Sequence, residues 1–169
     1  MFFSRIFVLS IFLFSSYSYG HGPTRQKVKE SIEIMVSAEN TWDMLKNLNS
    51  AEKWHSVYSN LSIDKDFKNF TSKRDGSKGV IEILSISNES MKIKYRLKNP
   101  STIPVNNYSA NISVKKVGKI SKVSYKGAFY RKYVNNNPPQ GEDDEAAIKA
   151  VTEIYKKSLE TLKSKLEGK

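Results

Sequence analysis

The stretch from Glu142 to Leu166 constrains the fold more than any other part of the chain. Ala147, Val151, Ile154, Tyr155, Leu159, Leu162 and Leu166 recur three or four residues apart, which places them on one side of a helix. Glu142, Asp143, Asp144 and Glu145 crowd its first turn, where unpaired backbone N–H groups and the helix dipole favour negative charge. Lys163 and Lys165 occupy the last turn, where positive charge is favoured. Pro138, Pro139 and Gly141 end the preceding segment. So long a helix has one continuous apolar stripe, and the rest of the chain must cover it.

The covering surface reads as strands. Val28, Ile32, Ile34 and Val36 alternate with Lys29, Ser31, Glu33 and Met35, which predicts a strand with one buried face. Ser37 can cap a short helix carrying Trp42, Leu45 and Leu48, and a second short helix or turn carries Ala51, Trp54 and His55. Weaker alternation follows over 57–64 and 67–73, then a turn at Asp75-Gly76-Ser77-Lys78-Gly79, then an apolar run from Val80 to Ile86. The clearest strand sets Met91, Ile93, Tyr95 and Leu97 against Lys92, Lys94, Arg96 and Lys98. Tyr108, Ala110, Ile112 and Val114 share the inward face of the next, and Val123, Tyr125, Gly127 and Phe129 that of the last. Gly127 has no side chain on that face, which allows the helix close approach. The expected class is α+β. A curved antiparallel meander of about six to seven strands wraps the terminal helix, with two short helices after the first strand.

Length and charge bound the rest. A chain of 169 residues fits one domain. It opens Met1-Phe2-Phe3-Ser4-Arg5, runs apolar from Ile6 to Phe14, and reaches small residues at Ser18 and Gly20. That pattern predicts a secretory signal over 1–20 and a domain over 21–169. The alternative is an uncleaved anchor, but the run is short of the roughly 20 apolar residues of a spanning helix. There is no cysteine, which excludes disulfides, thiolate catalysis, iron–sulfur clusters and covalent c-type haem. The formal net charge is +11. On an exported protein such a field favours an acidic protein or an anionic surface over nucleic acid; a merely solvated surface is the plain alternative.

The order of elements, with Ile32-Glu33-Ile34-Met35-Val36-Ser37-Ala38-Glu39-Asn40-Thr41-Trp42 and the later Trp54, resembles the START-like superfamily, also called SRPBCC or polyketide-cyclase-like. The resemblance implies a helix-grip fold. Three narrower stretches are similar to the MxaD-like family of periplasmic accessory proteins of bacterial methanol oxidation. They are His21-Gly22-Pro23-Thr24-Arg25-Gln26-Lys27-Val28, then Lys53-Trp54-His55, and the run from Gly127 through Arg131 and Tyr133 to Asp144. Ser56 departs from that pattern, where a proline is expected after the Trp-His pair, and the middle strands carry no matching motif. The resemblance implies a periplasmic, non-catalytic helper without a cofactor. Its implied role is to aid electron transfer from quinoprotein methanol dehydrogenase to its c-type cytochrome.

Residue by residue, the chain offers little chemistry. No Gly-x-Ser-x-Gly, His-Glu-x-x-His or phosphate-binding glycine loop is present, and the only histidines are His21 and His55. His21, as a mature first residue, could chelate copper through its amine and imidazole, with His55 as a third nitrogen; a terminus that binds nothing is the plainer expectation. Lys92, Lys94, Arg96, Lys98, Lys122 and Lys126 are the expected partner-binding face, although lysine also protects solvated strands. Glu30, Trp54, Tyr95, Tyr108, Tyr125 and Phe129 are candidate liners of a cavity between helix and sheet, or simple core. Three functions stay open: an accessory protein that binds an acidic partner, a carrier of a small apolar ligand, and a cyclase-like enzyme using Glu30 or a tyrosine.

Overall fold

The computed structural model describes residues 22–99 and 103–168, so the expected signal segment and His21 lie outside the described residues. Seven strands form one sheet: β1 (Gln26–Ile34), β2 (Tyr58–Asp64), β3 (Phe67–Ser72), β4 (Lys78–Ser87), β5 (Lys92–Leu97), β6 (Val105–Val117) and β7 (Ile120–Arg131). Their spatial order is β1-β7-β6-β5-β4-β3-β2, and every neighbouring pair is antiparallel. The meander expected from the short connections therefore runs from β2 to β7, and β1 closes on β7 at the far edge. The helices α1 (Ala38–Lys46) and α2 (Ala51–Trp54), joined by a 3-10 turn at Leu48–Ser50, carry the chain from one edge to the other.

The terminal helix, α3, spans Asp144–Glu167 and begins two residues later than its apolar spacing predicts. The reason is the cap. Asp143 stays extended and its carboxylate accepts the Ala146 N–H at 2.8 Å, while Glu142 pairs with Lys132 at 2.7 Å. Gly168, at φ 71°, closes the other end in the left-handed conformation. The helix buries Ala147, Val151, Ile154, Tyr155, Leu159 and Leu162 as the spacing requires, and adds Ala150 and Ser158. Each of the large ones contributes about 1.5–3 kcal/mol of burial.

Helix α3 lies mainly along β1 and β7. At Gly127 the approach is closest: a Cβ there would collide with the Tyr155 hydroxyl. Two links pin the end of β1 to the last turn, where Lys163 Nζ donates to the Glu33 carbonyl at 2.9 Å and the Met35 N–H donates to Glu167 Oε1 at 2.9 Å. Ser56 anchors the other side. Its N–H donates to Ser158 Oγ at 3.0 Å, and its hydroxyl donates to the Ile154 carbonyl at 3.2 Å. A proline at 56 could not make the first of these bonds. Helix α1 is capped by Ser37, whose hydroxyl accepts the Asn40 N–H at 3.2 Å, and is tied to β7 by Thr41 and Ser121 at 2.9 Å.

Candidate functional site

The inward faces of β5, β6 and β7 place Tyr95, Tyr108 and Tyr125 beneath α3, which contributes Tyr155. All four phenols are buried and form a chain. Tyr125 bonds Tyr95, Tyr95 reaches Tyr108 at 3.4 Å, and Tyr108 bonds Tyr155 at 2.7 Å. The Tyr125 and Tyr155 rings stack at 3.8 Å. His55, just past α2, meets the Tyr125 hydroxyl through Nε2 at 2.9 Å and stacks on Tyr58 at 3.6 Å.

The tautomer of His55 follows from its surroundings. The Val57 N–H donates to Nδ1 at 3.1 Å, so Nδ1 carries no proton and Nε2 must. Nε2 then donates to the Tyr125 hydroxyl, from which hydroxyl contacts continue through Tyr95 and Tyr108 to Tyr155. Burial, aided by the charge of Lys73, pushes the imidazole down to about 3, so it is neutral throughout the ordinary range. The Lys73 ammonium itself closes α2, donating to the carbonyls of Glu52 at 2.8 Å and His55 at 3.0 Å. Burial pushes Tyr58 up to about 12 and raises the other phenols as well. The cluster is a set of neutral hydrogen-bonding groups with no free basic lone pair on its imidazole.

Beside it, under α1, α2 and the 3-10 turn, lies a cavity of about 40 Å³. Leu45, Leu48, Leu61, Ile81, Ile83, Ile93 and Ile112 supply most of its wall, with Trp54, His55, Tyr58, Tyr95 and Tyr125. One lining residue breaks the pattern. Lys68 points inward from β3 and is only 3% exposed, and burial lowers its pKa. The weak alternation over 67–73 contained the signal, because Lys68 shares parity with the buried Phe70 and Ser72, while Phe67 faces out at 39% exposed. A smaller space of about 20 Å³ adjoins it, lined by Tyr108, His55, Tyr58, Phe70 and Ile154 among others.

The opposite face of the sheet holds an open groove of about 470 Å³. Lys27, Lys29, Lys94 and Lys126 line it with Ser109, Asn111, Ala128 and the exposed Leu84, and no carboxylate is among its lining residues. Pairing across the sheet sets Lys29, Lys126, Asn111 and Lys94 in one row.

The structure separates the six basic residues expected to bind a partner. Lys94 and Lys126 belong to the groove. Arg96 and Lys98 converge instead on Glu82, at 2.5 Å and 3.5 Å, and Lys122 lies 4.0 Å from Glu33. Lys92 sits one row away, opposite Ser113. Lys27 and Lys29, which sequence reasoning left out, join because β1 pairs with β7, a contact between chain ends that local spacing does not reveal. Of the candidate cavity liners, Trp54, Tyr95 and Tyr125 surround the larger cavity and Tyr108 the smaller. Phe129 is fully buried and Glu30 half-buried, and neither lines these two cavities. Both nitrogens of His55 are engaged, which leaves none to join His21 on copper, and no group of three metal-ligating side chains exists among the described residues. No helix among the described residues is long and apolar enough to cross a membrane.

Comparison with known proteins agrees with this architecture. No curated protein matches the chain. Among solved structures, an uncharacterised protein from Bacillus thuringiensis is 23% identical with a TM-score of 0.72, covering 84% of this chain and 99% of its own. The protein XoxI from Bacillus cereus is 22% identical with a TM-score of 0.71, over 83% and 95%. A START superfamily protein from Mycobacterium smegmatis is 13% identical with a TM-score of 0.64, over 84% and 97%. At these identities the likeness shows the fold, a START-like helix grip. The family model for polyketide cyclase / dehydrase and lipid transport, whose description spans enzymes and carriers, matches residues 25–167. With that match covering almost all of the described residues, the chain belongs to the polyketide cyclase / dehydrase and lipid transport family.

Proposed function

We propose that this chain is a non-enzymatic periplasmic accessory protein, exported by its first 20 residues, that docks an acidic protein on the outer face of its sheet. The groove carries this reading: four lysines line it, and no carboxylate does. Such a surface attracts an acidic partner at a distance and orients the encounter, with rates that fall as salt rises. The resemblance of the mature N-terminus, the Lys53-Trp54-His55 segment and the run before α3 to MxaD-like proteins directs the choice of partner to quinoprotein methanol dehydrogenase or its c-type cytochrome. A non-catalytic role is supported by the tyrosine cluster, whose imidazole has no lone pair to accept a substrate proton.

The test is association with purified dehydrogenase and cytochrome, followed at low and high salt. Reversing charge at Lys94 and Lys126 together is expected to slow association by about tenfold at low salt and to flatten the salt dependence. Unchanged association at low salt would overturn the docking role. A second reading, a carrier of a small apolar ligand, is favoured by the apolar wall of the inner cavity, whose volume of about 40 Å³ restricts any guest to a few heavy atoms.

A further inference from the structure

We propose that the cavity beneath α1 and α2 is a binding site for a small monocarboxylate, held by the ammonium of Lys68 and the indole N–H of Trp54. The site is separate from the outer groove and does not depend on the docking role; it rests on the carrier reading of the same cavity and gives its guest a charged end.

Two residues that line this one cavity, Trp54 and Lys68, carry donors that the described residues leave poorly satisfied. Trp54 is 5% exposed, and its Nε1 has no hydrogen-bond partner among the described residues. Lys68 is 3% exposed, and its ammonium has one long contact, to Asn49 Oδ1 at 3.5 Å. No carboxylate of the described residues forms an ion pair with it. A buried charge without a counter-charge costs several kcal/mol, and a buried N–H without an acceptor costs about 1–3 kcal/mol. The other polar groups nearby are committed: Nε2 of His55 to Tyr125, and the Tyr95 and Tyr125 hydroxyls to each other.

The chemistry of the guest follows. One positive charge calls for one negative charge, and two separate donors suit the two oxygens of a carboxylate. The remaining wall is aliphatic, from Leu48, Leu61 and Ile83, which suits an alkyl end and disfavours a fully hydrated inorganic ion. A volume of about 40 Å³ corresponds to roughly three water molecules, which sets the size at acetate to propionate. An inward lysine on the strand next to an edge also discourages edge-to-edge pairing of sheets. That role leaves the Trp54 N–H unexplained.

The two indole N–H groups provide an internal comparison, because the Trp42 Nε1 already donates to Asn88 Oδ1 at 3.0 Å. The uniformly nitrogen-15-labelled protein would be titrated with sodium propionate and its indole resonances followed. A saturable downfield shift of Trp54, with Trp42 unmoved, is expected. Propionamide, sodium chloride and sodium phosphate at the same concentrations are expected to leave Trp54 in place. Lys68→Met keeps the aliphatic stem and is expected to weaken propionate binding by about tenfold to a hundredfold. Trp54→Phe, followed by calorimetry, is expected to weaken it less, and Lys94→Glu is expected to leave it unchanged. The proposal is overturned if Trp54 does not respond to propionate, if propionamide or the inorganic salts move it equally, or if folded Lys68→Met binds propionate as well as the parent.

Discussion

At His55 a single backbone N–H, that of Val57, decides which imidazole nitrogen carries the proton that Tyr125 accepts. The folded imidazole is held down to about 3 while its ordinary value is 6.5, so the unfolded chain takes up the proton first as pH falls. His55 therefore costs no stability above about pH 6.5. Below it, stability is lost at up to about 1.4 kcal/mol per pH unit until about pH 3. Urea unfolding between pH 7 and pH 5 is expected to show this slope in the parent and not in His55→Gln; the same slope in both would remove His55 as its source. Tyr95 stands in the middle of the chain, and Tyr95→Phe leaves both Tyr125 and Tyr108 short of a partner. A loss of about 1–3 kcal/mol is expected, measured by denaturant titration. At Lys68 the sign reverses, because Lys68→Met removes a buried charge and keeps its volume. It is expected to raise the melting temperature in the absence of carboxylates.

Among the elements, the contact of α3 with β7 is set by Gly127 and Tyr155. Gly127→Ala is expected to cost about 1–3 kcal/mol, and to cost less in a Tyr155→Phe background, where the colliding hydroxyl is gone. A double-mutant cycle measures the difference. The close approach at Gly127 was legible in the sequence, since it is the one residue without a side chain on an otherwise apolar face. So were the strands from β5 to β7 and the stripe of α3, where one period dominates over many residues. Lys68 was legible only through its shared parity with Phe70 and Ser72, a weak signal because β3 is short and Phe67, the most apolar residue at its start, faces outward. Lys27 and Lys29 were not legible as neighbours of Lys126, which depends on β1 leaving the meander to pair with β7. The hydroxyl chain was legible only as a set of inward tyrosines; its continuity comes from Tyr155, supplied by a helix far along the chain. Ser56, read from sequence as a departure from a proline, turned out to share a pair of bonds with Ser158. Ser56→Pro is expected to cost about 1–2 kcal/mol in the parent and less in Ser158→Ala, again read by unfolding.

On the scale of the whole molecule, charge and shape divide the labour. The sheet has two faces, and chemistry of opposite kinds lies on them: an apolar interior with one inward lysine, and an outer groove lined by four lysines. A formal net charge of +11 on 169 residues makes the folded state repel itself. Moderate sodium chloride is therefore expected to raise the melting temperature, while slowing any encounter with an acidic partner. Opposite responses to the same salt would separate the cost of the field from its use.

The unbroken run of hydroxyl contacts among the buried phenols has a consequence in time. An inner hydroxyl that turns away gives up a contact its neighbour shares, so the rotors are coupled. Their deuterium uptake should then follow a common clock, advancing only when the strand–helix seam opens.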